Sequence, residues 1–220
     1  MPLYVPEDCK TLKEAVTRVE QDPRITTIVL GKGVHVVEVL KKYGYYDDTL
    51  AITSAMRIVG RPDVPKENIV VMGSIQFKSK IQGNCHLQHL TLRKAKWNGV
   101  FGESSFTMED VLVEQCDGGG VFAHGTFVVG RCTNVEVRQC GWSGVVAYKG
   151  ASITLIGDKT TVHHNCTKSD EYGLKVVGRR ATIQLVSPLT KEQVSLDNSG
   201  GGNWGAVQGG NIHQIKTISE

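Results

Sequence analysis

The sequence predicts an all-β fold, a single-stranded parallel β-helix solenoid with an α-helix at its N-terminus, and three observations support this prediction. The first is a recurring glycine followed by an apolar residue, at spacings of 21, 24, 29 and 32 residues: Gly99, Gly120, Gly144, Gly173 and Gly205. The second is that short stretches between these anchor glycines alternate apolar and polar residues, as strands with one buried face do. The third is composition, because 25 glycines against 6 prolines suit many tight turns. A period in the twenties is typical of solenoids, whose single repeats bury little apolar surface alone.

Length and composition also limit the classes of function. The chain of 220 residues is 40% hydrophobic and 21% charged, which suits one domain with a sizeable core over residues 1–220. A net charge of +3 is too balanced to indicate a nucleic-acid partner. No run reaches the ~18 apolar residues of a membrane span, and residues 1–8 lack the basic and apolar regions of a secretory signal. We therefore expect an intracellular protein without a membrane partner, whose six cysteines are reduced thiols.

An N-terminal cap is predicted over residues 1–24. It contains an amphipathic helix, because four apolar residues follow the i, i+3, i+4, i+7 spacing: Leu12, Ala15, Val16 and Val19. Asp8 or Thr11 would cap this helix, and it would end at residues 22–23. The first coils are expected over residues 25–83, with a polar excursion at 41–49 and strands at 25–30, 34–40, 50–52, 56–59, 69–71 and 75–77.

Regular repeats are predicted over residues 84–220, each with three short strands. On the first strand of successive repeats, alternation places Arg93, Glu114 and Arg138 outward as a ladder of opposite charges. On the second strand the inward residues are Val100, Val121, Val145, Leu174 and Ala206. The outward residues beside them are Phe101, Phe122, Val146, Lys175 and Val207. The third strand is clearest at 152–156 and 181–185.

Residues 11–60 and the glycine-valine repeats from 99 to 206 resemble the right-handed parallel β-helix (pectate-lyase-like) superfamily. The shared features are the amphipathic helix, the strand at 28–30, the turn at Gly33 and the segment 56–60 before a loop. The repeats are similar to the carbohydrate-binding and sugar-hydrolase repeats of that superfamily, which also occur in intracellular scaffolds such as F-box β-helix proteins. The resemblance implies a right-handed coil. Its motifs are structural, so they leave the activity open.

The catalytic motifs of the enzymes in this superfamily are not apparent in the sequence. Polygalacturonases carry paired acidic motifs on consecutive coils, because glycoside hydrolysis needs two carboxylates. Here Asp47 and Asp48 lie together in the early excursion, and the segment 123–125 around His124 only partly matches a Gly-His-Gly motif. Pectate lyases need acidic calcium ligands and a basic residue, and the repeats contain no such acidic cluster. A non-catalytic function is therefore favoured.

The second strand carries the candidate site. An outward row containing Phe101 and Phe122 is unusual on a free surface, so a loop or a partner subunit is expected to cover it. Alternatively the row lies in a cleft where Glu103, His124 and Tyr148 contact a ligand or serve as catalytic acid and base. The three tryptophans precede anchor glycines at one corner, where they line a carbohydrate groove or shield the backbone: Trp97, Trp142 and Trp204.

No metal or cofactor is predicted. Cys116, Cys140 and Cys166 follow first strands at spacings of 24 and 26, which favours a buried ladder of thiols. Zinc sites need close ligand pairs such as Cys-x2-Cys, and the sequence has none. His163 and His164 could bind a metal, but two solvent-facing residues at a coil corner are the simpler interpretation.

The function predicted from the sequence is a non-catalytic interaction module that contacts a protein or a polysaccharide through its outer β faces. The alternative is a carbohydrate-active enzyme (a lyase, hydrolase or epimerase) acting on an acidic polysaccharide through Glu103, His124 and Tyr148. Self-association is also expected, either through the face of Phe101 and Phe122 or through the coil ends. Residues 212–216 have no obvious capping helix, and uncapped strand edges can pair with another chain.

Overall fold

A computed structural model of the protein describes residues 1–42 and 45–219. Its helices and strands are, in chain order, β1 (Leu3–Val5), α1 (Leu12–Gln21), β2 (Thr27–Leu30), β3 (Gly33–Val36), β4 (Leu40–Lys42), β5 (Tyr45–Asp47), β6 (Thr49–Ile52), β7 (Arg57–Gly60), β8 (Ile69–Met72), β9 (Ser74–Phe77), β10 (Cys85–Arg93), β11 (Val100–Gly102), β12 (Phe106–Glu114), β13 (Val121–His124), β14 (Val129–Thr133), β15 (Glu136–Arg138), β16 (Val145–Tyr148), β17 (Ser152–Ile156), β18 (Thr161–His163), β19 (Tyr172–Val177), β20 (Thr182–Val186), α2 (Lys191–Val194), β21 (Ser195–Leu196), β22 (Gly202–Val207) and β23 (Ile215–Ile218). Short 3-10 turns lie at Lys66–Asn68 and Ile212–Gln214. No helix in the described part of the chain is long and apolar enough to cross a membrane.

The strands form three stacks of parallel strands. The first stack is β3, β8, the second half of β10, the second half of β12, β15, β18 and β21. The second stack is β6, β9, β11, β13, β16, β19 and β22. The third stack is β1, β2, β7, the first half of β10, the first half of β12, β14, β17, β20 and β23. From β6 onward the chain visits the second, third and first stacks in that fixed order, and each strand pairs with the equivalent strands before and after it.

The parallel, predominantly β architecture confirms the coarse fold prediction, and so does the N-terminal helix. Thr11 is the N-cap of α1, and its hydroxyl accepts a hydrogen bond from the Glu14 N–H at 3.1 Å. The helix ends at Asp22 and buries one apolar face: Leu12, Ala15, Val16 and Val19. Strand β1 was not predicted, because three residues are too few to show alternation.

Two strands that the sequence did not predict, β4 and β5, lie in and beside the predicted excursion at 41–49. Strands β4 and β5 form an antiparallel pair, with Leu40 opposite Asp47. The two residues between them, 43 and 44, lie outside the described part of the chain. Asp48 is buried, and both of its carboxylate oxygens accept hydrogen bonds from the Lys96 N–H, at 3.0 and 3.1 Å. Burial raises the pKa of Asp48, although the bonds from Lys96 oppose that rise.

Four of the five anchor glycines, at 99, 120, 144 and 173, lie in the predicted register, but for a different reason from the expected one. They were expected to supply tight turns, yet Gly99 does not have a positive φ. A Cβ on Gly99 would lie only 2.4 Å from Cγ1 of Val113, so glycine is required where the first and second stacks approach each other closely. Four left-handed turns that follow first-stack strands are occupied by residues other than glycine, with φ between 54° and 57°: Lys94, Gln115, Gln139 and His164.

The predicted charge ladder is present on the first stack. Arg93 pairs with Glu114 along the strands, and Glu114 pairs with Arg138. The Glu114 carboxylate accepts hydrogen bonds from Arg93 Nε at 2.6 Å and from Arg138 Nη2 at 2.8 Å. The two guanidinium groups cover the carboxylate, so the side chain of Glu114 is only 4% exposed.

The last repeat lies in a different register from the predicted one. The sequence aligned Gly205 with Gly173, but in the structure Gly205 pairs with Lys175 and Trp204 pairs with Leu174. The turn at residues 197–201 is shorter than the equivalent turn of the preceding repeat, 164–171, so the strand begins ahead of Gly205 and the repeat is shifted by two positions. Trp204 therefore lies inside β22, partly buried against the core, rather than at the corner. Val207 moves with it and pairs with Val177.

Candidate functional site

Three strands in the middle of the second stack position a group of rings on its outer surface. In β11, β13 and β16, residues Val100, Val121 and Val145 are buried, so the next residue of each strand faces outward. Phe101 pairs directly with Phe122 on the adjacent strand. We call Phe101, Phe122, His124 and Tyr148 the aromatic face; all four side chains are partly exposed.

The rings of the aromatic face contact one another in a continuous patch. The centroids of Phe101 and Phe122 are 5.3 Å apart, and those of His124 and Tyr148 are 5.2 Å apart. Two further contacts at 6.0 Å join Phe101 to His124 and Phe122 to Tyr148. The separations lie in the range of favourable aromatic pairs. The four rings therefore hold each other in place and present one surface.

Charged side chains border the aromatic face at both ends. Toward the N-terminus, Glu103 accepts a hydrogen bond from Gln76 Nε2 at 2.9 Å and lies 3.5 Å from Lys78 Nζ. Toward the C-terminus, Lys175 forms an ion pair with Glu171. Val146, which follows Phe122 in the same row, is only 4% exposed. The aromatic part of the row thus ends at Val146.

A shallow depression adjoins Phe101. It has a volume of about 170 Å³ and is lined by Thr49, Ser74, Gln76, Trp97, Asn98 and Phe101. Trp97 is 47% exposed at its rim. The lining thus combines two aromatic side chains with the hydroxyl and amide groups of four polar ones. Such a combination can stack on an apolar ligand face and hydrogen-bond its polar edge.

The other two predicted tryptophans lie away from this depression. Trp142 is exposed at the same corner as Trp97, but Gly118 lies between them: its N–H donates to the Trp97 carbonyl, and its carbonyl accepts from the Trp142 N–H. Trp204 lies in the last strand of the stack, with the Lys191 ammonium 5.3 Å from its ring centroid. The structure therefore brings Trp97 together with the aromatic face and separates Trp142 and Trp204 from it.

The proposed catalytic residues share one row but have separate partners. Glu103 contacts Gln76 on the preceding strand and Lys78 just after it. His124 packs between the rings of Phe101 and Tyr148, and the Lys149 ammonium lies 5.2 Å from the Tyr148 ring centroid. The roles of Gln76 and Lys78 were missed from the sequence, although alternation about buried Phe77 would have placed both outward beside Glu103.

Among the described residues, no group of three or more histidine, cysteine, aspartate or glutamate side chains is arranged to hold a metal ion. The chemistry available on the aromatic face is therefore stacking on four rings, with hydrogen bonds and charges at its border. Comparisons of the chain with protein-family models, curated proteins and solved structures find no match.

Proposed function

We propose that this chain is a right-handed parallel β-helix of the pectate-lyase-like superfamily that acts as a non-catalytic binding module. The support for this fold is the path of the chain, which returns to the same three stacks in a constant order with parallel pairing at each return. The sequence repeat supports the same architecture, because its glycines recur once per cycle.

The proposed ligand is a glycan bound on the aromatic face, and a protein surface is the alternative. The observation that carries the proposal is the patch of four partly exposed, mutually contacting rings beside the depression at Trp97. Sugar rings have apolar faces that stack on aromatic side chains, and hydroxyl edges that the amides of Gln76 and Asn98 can reach. Aromatic anchors of this kind usually dominate binding energy.

The placement of polar groups favours binding over catalysis. General acid–base chemistry needs a proton donor and acceptor that converge on the reacting atoms. Glu103 is held by Gln76 and Lys78, whereas His124 is stacked among rings. The enzyme alternative would require Glu103 to leave these partners when a substrate binds.

A glycan array that includes uronic-acid polymers tests the proposal. The double variant Phe101→Ser, Phe122→Ser should fold like the parent, because both rings point outward, and should lose at least ~10-fold in affinity for the glycan that the parent binds. Phe127→Ser is the matched control, since Phe127 is 89% exposed on a loop outside the aromatic face. It should bind as the parent does.

The same samples distinguish the alternatives. Depolymerisation or epimerisation by the parent that is lost in His124→Ala would replace the binding function with the enzymatic one. Self-association in gel filtration that the double variant alone abolishes, without any glycan signal, would identify the aromatic face as a protein contact. Equal glycan binding by the parent and the double variant would remove the aromatic face as the site.

A further inference from the structure

The outer surface of the third stack carries a row of basic side chains. Strand pairing aligns this row across seven strands from β7 to β23, and its basic members are Arg57, His86, Arg131 and Lys216. The row faces outward, because the residues that follow it in the strands, such as Ile58 and Leu87, are buried. Arg131 lies three strands beyond Arg57, and Lys216 lies three strands beyond Arg131. With ~4.8 Å between neighbouring strands, the row presents a permanent positive charge about every 14 Å.

The three permanent cations of this row lack carboxylate partners. In the charge ladder of the first stack, two arginines share one carboxylate. By contrast, Arg57, Arg131 and Lys216 are exposed and form no ion pair with any residue that the structure describes. The guanidinium of Arg57 donates one hydrogen bond, from Nη2 to Gln88 Oε1 at 3.3 Å. Among the described outward positions of these strands, Glu109 is the one carboxylate, so the surface has an excess of positive charge.

A depression with a polar lining lies at one end of the row. It has a volume of about 360 Å³, and its polar lining residues are Thr26, Arg57, Asn84, His86 and Thr107. The ring of His86 is held in the wall, with Nδ1 2.6 Å from Oγ1 of Thr107. The lining thus offers guanidinium, amide and hydroxyl donors around one space, which suits the oxygens of an anionic group.

We propose that a linear sulfated polysaccharide binds across the third stack, with a sulfate ester in this depression and further sulfates beside Arg131 and Lys216. A sulfate ester is ionised at every physiological pH, and its three terminal oxygens can accept hydrogen bonds from several donors at once. The charge of the ligand complements a surface whose cations have no carboxylate partners. This surface is separate from the aromatic face on the second stack, and the proposal does not rest on the function proposed there.

The groups between the cations favour a polysaccharide over a nucleic acid. The partly exposed side chains of Thr107, Ser152 and Gln184 lie on the intervening strands, where they can hydrogen-bond sugar hydroxyls. No phenylalanine, tyrosine or tryptophan occupies a described outward position from β7 to β23, so the surface has no platform for stacking bases. Each strand of a DNA duplex carries a charge every ~3.4 Å, far denser than the cations of the row.

Binding of dextran sulfate, compared with uncharged dextran of the same length, tests the proposal. The parent should bind dextran sulfate alone, with an affinity that falls as the salt concentration rises. The double variant Arg57→Gln, Arg131→Gln should lose at least ~10-fold in affinity and depend less steeply on salt, because two ionic contacts are removed. Both side chains are exposed, so thermal melting should show that the fold is kept.

Two further variants separate this surface from a general effect of charge. Lys10→Gln, Lys94→Gln removes the same charge from exposed positions outside the third stack and should bind as the parent does. Glutamine suits the left-handed turn at Lys94, because Gln115 and Gln139 occupy the equivalent turns. Glu109→Gln should bind dextran sulfate more tightly than the parent, since a repelling carboxylate is removed. Damage to the fold would not produce such a gain.

The proposal is overturned if the double arginine variant binds dextran sulfate as the parent does, or if the double lysine variant is weakened equally. It is also overturned if single-stranded DNA or poly-glutamate binds more tightly than dextran sulfate at the same salt concentration. Loss of dextran sulfate binding in Phe101→Ser, Phe122→Ser would place the sulfates on the aromatic face instead. Retention in that variant would show that the two surfaces bind independently.

Discussion

At the scale of single residues, the assignment of inward and outward positions can be tested at Val121. Its side chain is 1% exposed in the middle of the second stack. The change Val121→Asp places a carboxylate in this interior without a partner, so the free energy of unfolding should fall by at least ~3 kcal/mol. Urea denaturation measures the loss. Val129→Asp is the control, since Val129 is 40% exposed, and an equal loss in both variants would contradict the assignment.

The buried carboxylate in the middle of the charge ladder, Glu114, predicts a dependence of stability on pH. Burial raises the pKa of Glu114, but the hydrogen bonds from Arg138 and Arg93 outweigh it and hold the pKa below its ordinary value. A carboxyl group with a lowered pKa stabilises the fold above its ordinary pKa, and this contribution is lost as the pH falls through the folded-state value. The ion pairs of Glu114 should therefore weaken on acidification.

Glu114→Gln should lower the free energy of unfolding at pH 7 by about 1–3 kcal/mol, because two charge-assisted hydrogen bonds become weaker. The difference from the parent should shrink as the pH falls toward the folded-state pKa of Glu114. Denaturation series at several pH values measure it, and Glu109→Gln at an exposed position serves as the control. A difference that stays constant with pH would show that the charge of Glu114 is not responsible.

At the scale of elements, the close approach of two stacks should make the anchor glycines intolerant of any side chain. Gly99→Ala brings a methyl group within 2.4 Å of Val113 Cγ1, so it should cost about 1–3 kcal/mol through overpacking. Val113→Ala should relieve this contact. The double variant should therefore lose less stability than the sum of the two single changes, which a double-mutant cycle measures. Additive losses would mean that the two side chains do not compete for space.

The elements also show how much the sequence could reveal. Strands with one buried face were predicted well, since alternation in segments such as 121–124 directly reflects burial. The first halves of β10 and β12 were missed because a left-handed residue interrupts each strand, at His89 and Asp110, and breaks the alternation. The left-handed turns at Gln115 and Gln139 could not be predicted from the sequence either, because glutamine is not a residue that usually marks a turn.

Part of the candidate site was predictable for the same reason. Phe101 and Phe122 were placed outward by alternation, and their pairing followed from the repeat. The position of Trp204 was not, because glycines occur at 200–202 as well as at Gly205, and the strand begins at Gly202 rather than at the predicted anchor. The turn ahead of Trp204 is fixed by side-chain contacts between repeats, such as the 3.0 Å hydrogen bond from Asn198 Nδ2 to the Val162 carbonyl.

At the scale of the whole molecule, the cysteines report on global opening. All six are free and buried, and they are spread from Cys9 to Cys166. Burial raises the pKa of Cys85 and Cys166 to about 11 and that of Cys132 to about 12. A hydrogen bond with Cys140, together with burial, raises the pKa of Cys116 well above its ordinary value.

The native protein at pH 8 should therefore react with a thiol reagent only as fast as it unfolds, because the thiolate is the reactive form. In denaturant, all six thiols should react with the reagent together. Mass spectrometry of the labelled protein identifies the order of reaction. Rapid labelling of Cys116, Cys140 or Cys166 before global unfolding would show that the ladder is not enclosed and that the first strands lie in another register.

Because successive repeats pair in parallel, the protein could be lengthened by one whole repeat at a time. Val121 pairs with Val145, so residues 121–144 make up one complete passage through the second, third and first stacks. A tandem duplication of these 24 residues would present matching strand edges to both neighbours, and it would add another phenylalanine and histidine to the aromatic face. The extent of the surface offered to a long ligand is therefore a quantity that gene duplication can change in whole steps, while both ends of the molecule keep their contacts.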